Sequence, residues 1–491
     1  MVAPIEDPGV SMNLVGGRWR PSSDGSVIDV LDPSDLRHVV GRVPSMTTAD
    51  VQEAFDYAEA GFQNWRRTPT LDRAAVLTAA AALLRERQDE IALVIVDEMG
   101  KTKAEAAIEA SKTADFFDFY ASLSRSPYGE LLHDGRSGTR TSTWVEPVGV
   151  VLAITPWNDP LLTPARKLAP ALFAGNAVII KPSAETPLVT HALARVLQDA
   201  GLPDGVLGTV TGSSRVLSAQ LLGDPHLAAV TFTGSTTVGR KLERELAGSG
   251  KRLQAELGGK NATVVLADAD LEMAANTIIG AAFGQSGQRC TATSRLIVDD
   301  NVSSALLDML RSRVNSLVLG PGRDPSTTTG PVVSEQQRDT VLTFIQEARR
   351  EGGTIVVGGS APPEDRLRHG CFVLPTIVHG VQPHMTLWRE EVFGPVLSVT
   401  TCSGIDEALA LVNDSRYGLA AALFTADLRA SALFVDQANV GQVAVNLPTS
   451  GWDVHQPFGG FGDSGSAFKE QGASGLRFYS RIKTAAVRSS W

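Results

Sequence analysis

The sequence predicts an α/β protein of two doubly wound parallel sheets, preceded by a helical layer and completed by a small β-ribbon. Three observations carry this. From Val148 onward, short apolar and β-branched runs alternate with helical segments, the pattern of a parallel sheet whose strands are covered on both faces. A second alternating series follows Glu256. Two further stretches, TRTSTWVEPV at 139–148 and LRFYSRIKTAAV at 476–487, alternate polar and apolar residues as exposed strands do.

The elements follow in chain order. Residues 48–65, TADVQEAFDYAEAGFQNW, place Val51, Ala54, Phe55, Ala58, Phe62 and Trp65 at helical spacing behind a threonine cap. Such a stripe is a docking face rather than a cofactor box. LDRAAVLTAAAALLRERQDEIALVIVDEMGK and AEAAIEASKTADFFDFYASL repeat the character, so the first third is helical. The first sheet then draws on GVVLAIT, NAVIIKPS, GVLGTVTG and LAAVTFTGS, with PARKLAPALFAG and VTHALARVLQDAG as helices between. In such sheets ligands gather beyond the strand C-termini. The second sheet draws on TVVLAD, SRLIVDD, GTIVVGG, FVLPTIV, PVLSVTT and QVAVNLPT, with a helix through SSALLDMLRSRVNSL. Pro/Gly-rich stretches at 318–331 and 358–364 read as surface loops.

Composition excludes several classes. A chain of 491 residues with 43% hydrophobic and 20% charged content can bury a large core. Its net charge of −10 and the absence of a Lys/Arg run argue against nucleic acid or an anionic membrane as partner. Small soluble partners are expected instead. The three cysteines, Cys290, Cys371 and Cys402, are too scattered for a disulfide framework and indicate a reducing, cytoplasmic setting. The N-terminus, MVAPIEDPGVSMNLVGG, carries acids and prolines where a secretory signal needs a basic flank and an apolar run. No apolar stretch approaches the ~20 residues that cross a bilayer. The eight histidines stand apart without HExxH or paired Cys/His spacing, so no metal is expected.

Four features carry chemistry: Cys290 in GQSGQRCTATSR, Glu256 in ELGGKN, Asn158 in TPWNDP, and the turn FTGSTTVG at 232–239. Singly each has a bland reading: a buried free thiol, a solvated strand-end acid, a turn-forming asparagine before Asp-Pro. In this order, with NLVGGRW at 13–19, KPS at 181–183, EEVFGP at 390–395 and PFGG at 457–460, they resemble the aldehyde dehydrogenase superfamily over nearly the whole chain.

The resemblance implies an aldehyde dehydrogenase-like fold with two Rossmann-like α/β domains and an oligomerisation ribbon. Residues 1–127 with 149–257 would bind the dinucleotide and 258–446 would form the catalytic domain. Residues 128–148 with 475–491 would form the ribbon, and 447–474 would return to the cofactor and active site. Cys290 would be the nucleophile, because a planar aldehyde gives up hydride only after a thiolate has made a tetrahedral adduct. Asn158 and the Cys290 N–H would hold the oxyanion. Glu256 would activate water to hydrolyse the thioester, with Lys167 and Glu470 in a proton relay around it.

On the cofactor side the resemblance assigns Thr155, Pro156, Trp157, Lys181, Ser183, Ala184, Arg215, Gly234, Ser235, Leu257, Glu391 and Phe393 to NAD or NADP. Gly234 and Ser235 start a helix where a pyrophosphate is bound, and Glu391 and Phe393 hold the nicotinamide end. NAD-preferring relatives read K-x-x-E after the second strand, but here the run is KPSAET. Ala184 stands where the acid would be and Glu185 is one place late, so NADP is favoured with NAD also usable, Lys181, Ser183 and Arg215 receiving the 2′-phosphate.

For the substrate, GQRCTATSR, VNLPTSGWDVHQPFGG and GPVVSEQQ look most like the α-ketoglutaric semialdehyde (2,5-dioxopentanoate) dehydrogenase branch. Asp159, Arg289, Thr291 and Phe458 are the substrate candidates. Arg289, with Arg295 behind it, would take the distal carboxylate, unless it is a structural arginine paired with an acid. Asp159 departs from the family pattern; it pairs with Arg166 or Arg289, or it marks a hydroxylated or amine-bearing substrate. The alternatives are a broad-specificity aldehyde or succinate semialdehyde dehydrogenase, a coenzyme A-acylating enzyme, which Glu256 disfavours, and an idle scaffold, which Cys290, Glu256 and Asn158 together disfavour. The resemblance also implies a homodimer or homotetramer.

Overall fold

The computed structural model describes residues 9–489, so the reading of residues 1–8 as no leader lies outside the described residues. Four helices open the chain, Thr48–Trp65, Thr70–Glu86, Gln88–Met99 and Lys103–Ser122. The first begins where Thr47 and Asp50 form a reciprocal capping box. All six residues of its apolar stripe are buried, and full burial of a side chain such as Phe55 contributes about 1.5–3 kcal/mol.

The first sheet is wholly parallel, in the order Arg252–Glu256, Leu227–Thr233, Val150–Ile154, Ala177–Lys181, Leu207–Thr209. The chain runs outward from Val150–Ile154 and then crosses back to its other side. The order therefore reverses between Val150–Ile154 and Leu227–Thr233, opening a crevice beyond their C-terminal ends. Asn158 follows one of these strands and Gly234 the other.

The second sheet runs Thr354–Val357, Thr376–His379, Val396–Cys402, Thr293–Asp299, Asn261–Val265, Ala420–Phe424, Gln442–Val445, parallel except for the first, an antiparallel edge. Here the C-terminal expectation fails. Cys290 and Glu391 lie just before Thr293–Asp299 and Val396–Cys402, so this sheet offers its N-terminal strand ends to the crevice. The third sheet pairs Thr139–Pro147 with Ser480–Arg488 on one side and Gly129–Leu132 on the other, all antiparallel. Its outer strands expose Leu131 and Ile482.

Candidate active site

The nucleophile loop is held from several directions. Gln285, Ser286 and Gly287 take left-handed backbone conformations in succession, with φ of 52°, 54° and 68°, each costing a non-glycine residue about 1–3 kcal/mol. The Glu105 carboxylate accepts from the Gln285 N–H at 2.5 Å, and Ser286 Oγ donates to the Gly330 carbonyl at 2.7 Å. A Cβ on Gly287 would collide with the Gly394 carbonyl. The glycine thus permits a backbone contact; it does not clear room for a ligand. Downstream, Asn261 Nδ2 donates to the Cys290 and Ala292 carbonyls, both at 2.8 Å, and Thr449 Oγ1 donates to the Thr291 carbonyl at 2.6 Å.

Cys290 stands where two cavities meet. One, of about 380 Å³, includes Asp159, Arg166, Arg289, Thr291, Trp452 and Phe458 in its wall. The other, of about 270 Å³, is bounded by Pro156, Trp157, Asn158, Gly234, Ser235, Leu257, Glu391 and Phe393. Burial pushes the Cys290 thiol up to about 12, and the cation that opposes this is Arg166 rather than the adjacent Arg289. A proton acceptor is therefore required before attack. Neither the Asn158 side-chain amide nor the Cys290 N–H is engaged by another described residue, which leaves both free for an oxyanion. We expect Asn158→Ala to lower kcat by about 10²–10³-fold, the loss typical of one oxyanion donor, with steady-state kinetics as the check.

Glu256 ends its strand buried, and neither of its oxygens has a hydrogen-bond partner. Burial and the neighbouring Glu470 carboxylate raise its pKa well above the usual range, against the pull of Lys167, Lys469 and Arg166. It packs against Gly459, where a Cβ would strike Oε1, and belongs to neither cavity wall. Lys167, fully buried, donates to Glu470 and to Thr231 Oγ1, the latter at 3.0 Å; Arg166 Nη1 lies 3.8 Å from the other Glu470 oxygen. Lys167, Glu470 and Glu256 thus form one buried cluster.

Asp159 pairs with a residue the sequence reading passed over. Lys101 Nζ, inaccessible to solvent, donates to Asp159 at 2.7 Å and to Glu109 at 2.5 Å; Gln285 Nε2 donates to Asp159 at 3.1 Å. The expected direct pairing of Asp159 with Arg166 or Arg289 does not form. Arg289 lines the larger cavity, and its guanidinium makes no hydrogen bond or ion pair with any described residue, although its carbonyl accepts from the Ala292 N–H at 3.0 Å. Arg295 is not behind it. That guanidinium is buried in the second sheet's surroundings, donating to the carbonyls of Lys260, Leu411 and Val412 and lying over Trp388.

The smaller cavity suits the nicotinamide and pyrophosphate end of a dinucleotide. A Cβ on Gly258 would collide with the Glu391 carboxylate and one on Gly234 with the Phe232 ring, so each glycine lets a neighbouring side chain close against the backbone at the cavity's edge. Ser235 caps the helix Thr236–Leu246, whose N-terminus suits a pyrophosphate. Phe393, at φ 53°, meets Trp157 edge-on with ring centroids 5.2 Å apart. Thr155, Lys181, Ser183, Ala184 and Arg215 lie outside both cavity walls. Glu185 accepts a hydrogen bond from Ser183 Oγ, so a carboxylate stands at this corner despite Ala184. Arg215 is exposed near the start of helix Ser214–Gly223.

Two sheets that contribute opposite strand ends, a cysteine between two cavities and a dinucleotide cradle define an NAD(P)-dependent oxidoreductase acting on aldehydes through cysteine. Residues 19–485 match the aldehyde dehydrogenase family, and the chain belongs to it. Its kinship lies with the semialdehyde branch. It is 41% identical to an alpha-ketoglutarate semialdehyde dehydrogenase of Haloferax volcanii, over 98% of this chain and 99% of that protein. It is 40% identical to a 2,5-dioxopentanoate dehydrogenase of Saccharolobus solfataricus, over 96% and 98%. Among solved structures, betaine aldehyde dehydrogenase from Staphylococcus aureus in complex with NAD+ superimposes with a TM-score of 0.95 at 31% identity, covering 97% of this chain and 95% of that one.

Proposed function

We propose that the protein oxidises an aldehyde bearing a distal carboxylate, of the α-ketoglutaric semialdehyde kind, to the free acid. The observation that carries this is the pair Arg166 and Arg289 on the wall of the chamber that ends at Cys290, with the acid beside them, Asp159, bound to Lys101. Of the other acids of that wall, Glu109 shares Lys101, Asp115 pairs with Arg85 at 3.1 Å and Glu105 caps the helix Lys103–Ser122, while the exposed Asp453 lies 3.5 Å from His455. The kinship with semialdehyde dehydrogenases supports the same reading.

In the mechanism, Cys290 gives its proton to water in the chamber, which its partial exposure admits, and attacks the carbonyl carbon. The resulting oxyanion receives the Asn158 amide and the Cys290 N–H. Trp157, Gly234, Ser235, Leu257, Glu391 and Phe393 hold the nicotinamide dinucleotide, which when bound accepts the hydride and leaves an acyl group on Cys290. Glu256 then swings from its seat against Gly459 toward the thioester and takes a proton from the attacking water. Lys167 and Glu470 carry that proton away.

Glu185 at the ribose corner favours NAD over the NADP first expected, since a carboxylate accepts ribose hydroxyls and repels a 2′-phosphate. The chain division expected above, into dinucleotide-binding, catalytic and ribbon segments, is retained as part of the proposal, as is assembly into dimers or tetramers through the ribbon's exposed apolar strands. Three unpaired cysteines support a cytoplasmic setting.

The test is steady-state kinetics on carboxylate-bearing, neutral aliphatic and aromatic aldehydes, each with NAD and NADP. The carboxylate-bearing semialdehyde should lead in kcat/KM by about 10–150-fold, the worth of a hydrogen bond to a charged group of ~1.5–3 kcal/mol. Preference for plain aromatic aldehydes would remove the reading. In Glu185→Gln the NADP-to-NAD ratio should rise; an unchanged ratio would dismiss Glu185 as the discriminating group.

A further inference from the structure

The geometry points to Lys101 as a specificity-determining positioning residue, whose ammonium neutralises Asp159 at the chamber wall and so lets an anionic substrate approach Cys290. The inference rests on the carboxylate-bearing substrate proposed above. Asp159 borders both cavities and its side chain retains 18% exposure, so its charge is felt by whatever occupies them. Lys101 is wholly enclosed and reaches the chamber only through the carboxylates of Asp159 and Glu109, of which Asp159 alone borders both cavities.

The same ammonium organises three segments. Through Glu109, whose other oxygen accepts from the Leu161 and Leu162 N–H groups at 2.9 and 3.0 Å, it braces the start of helix Leu162–Ala174, which carries Arg166 and Lys167. Through Asp159 it fixes the residue next to the oxyanion donor Asn158. Through Asp159 and Gln285 it reaches the left-handed turn before Cys290. Burial favours a neutral Asp159, but Lys101 foremost, then Arg289, outweighs it and keeps the carboxylate ionised. Without Lys101 the Asp159 carboxylate would be offset only by the more distant Arg289 and Arg166, and the wall would repel a substrate of like charge.

The experiment compares succinic semialdehyde with butanal, a four-carbon pair differing in the carboxylate, and reads the ratio of their kcat/KM values in the complete enzyme with saturating cofactor. Lys101→Met should lower that ratio by about tenfold or more. Asp159→Asn should raise it, and the double variant should return it toward the wild-type value. Equal loss on both substrates in Lys101→Met, or shifts of the same sign in the two single variants, would overturn the proposal. Should Lys101→Met fail to fold, the near-isosteric Asp159→Asn decides alone, since an unchanged or lower ratio contradicts it. The wild-type ratio separately judges the substrate reading. A value below one dismisses the carboxylate preference, whereas the ordering of the variants still judges Lys101.

Discussion

Cys290→Ala is expected to abolish reduced-cofactor formation from every aldehyde, by about 10⁴-fold or more, as loss of a covalent nucleophile does. No other thiol can substitute, because Cys371 and Cys402 are buried in the packing around the second sheet. Absorbance of the reduced cofactor over long incubation checks this, with calorimetric titration of cofactor to show that the variant still binds it. Turnover surviving at a tenth of the wild-type rate would remove Cys290 from the mechanism. Serine at this position should rescue little, since a buried hydroxyl holds its proton still more firmly than a thiol that burial has already pushed up to about 12.

Glu256→Gln should separate the two halves of the reaction. Acylation still proceeds, so one equivalent of reduced cofactor appears in a burst; steady turnover then falls by about 10²–10⁴-fold, the usual worth of a general base. Mass spectrometry should find the acyl group on Cys290. The pH dependence carries a sign. The Glu256 carboxyl titrates well above the ordinary carboxylate range, so below that raised pKa it is protonated and cannot accept from water. The deacylation-limited rate therefore rises with pH through it, and this acid limb should be missing from the glutamine variant. Unchanged turnover with no acyl adduct would assign deacylation to another group.

How much of this was legible in the sequence depends on whether the signal was local. Buried parallel strands such as Ala177–Lys181 are visible because consecutive enclosed positions demand an unbroken apolar run, here the four residues 177–180 before Lys181. Ala420–Phe424 escaped notice although it lies inside the second sheet and is equally buried. Its alanines favour helix by intrinsic propensity, and only the neighbouring strands overrule them. Likewise Arg252–Glu256 was noticed for its acid alone, since its edge position relaxes the apolar requirement.

The groups proposed for the chemistry stand out in the sequence because each role restricts residue type: Cys290, Asn158 and Glu256 have few substitutes. Their supports do not. Nothing about Lys101 in its run of ordinary helix-linker residues announces a partner 58 positions away, and Asn261, which grips the Cys290 carbonyl, reads as a strand-start asparagine. Sequence alone reads Arg289 equally as a structural pair or a cavity cation; its guanidinium lines the cavity with no ion pair among the described residues. Ala184 alone does not decide the cofactor, because an acid one residue late can fold back, as Glu185 does onto Ser183.

Gln285 and Ser286 hold their left-handed conformations without the relief glycine would bring. The loop carrying the nucleophile is therefore a loaded part of the fold, kept taut by Glu105 and Gly330. Heat tolerance and aim compete for the same few residues. Sequence drift toward greater robustness would find its cheapest gain by slackening this turn, and would surrender first the alignment of the thiol between the two cavities.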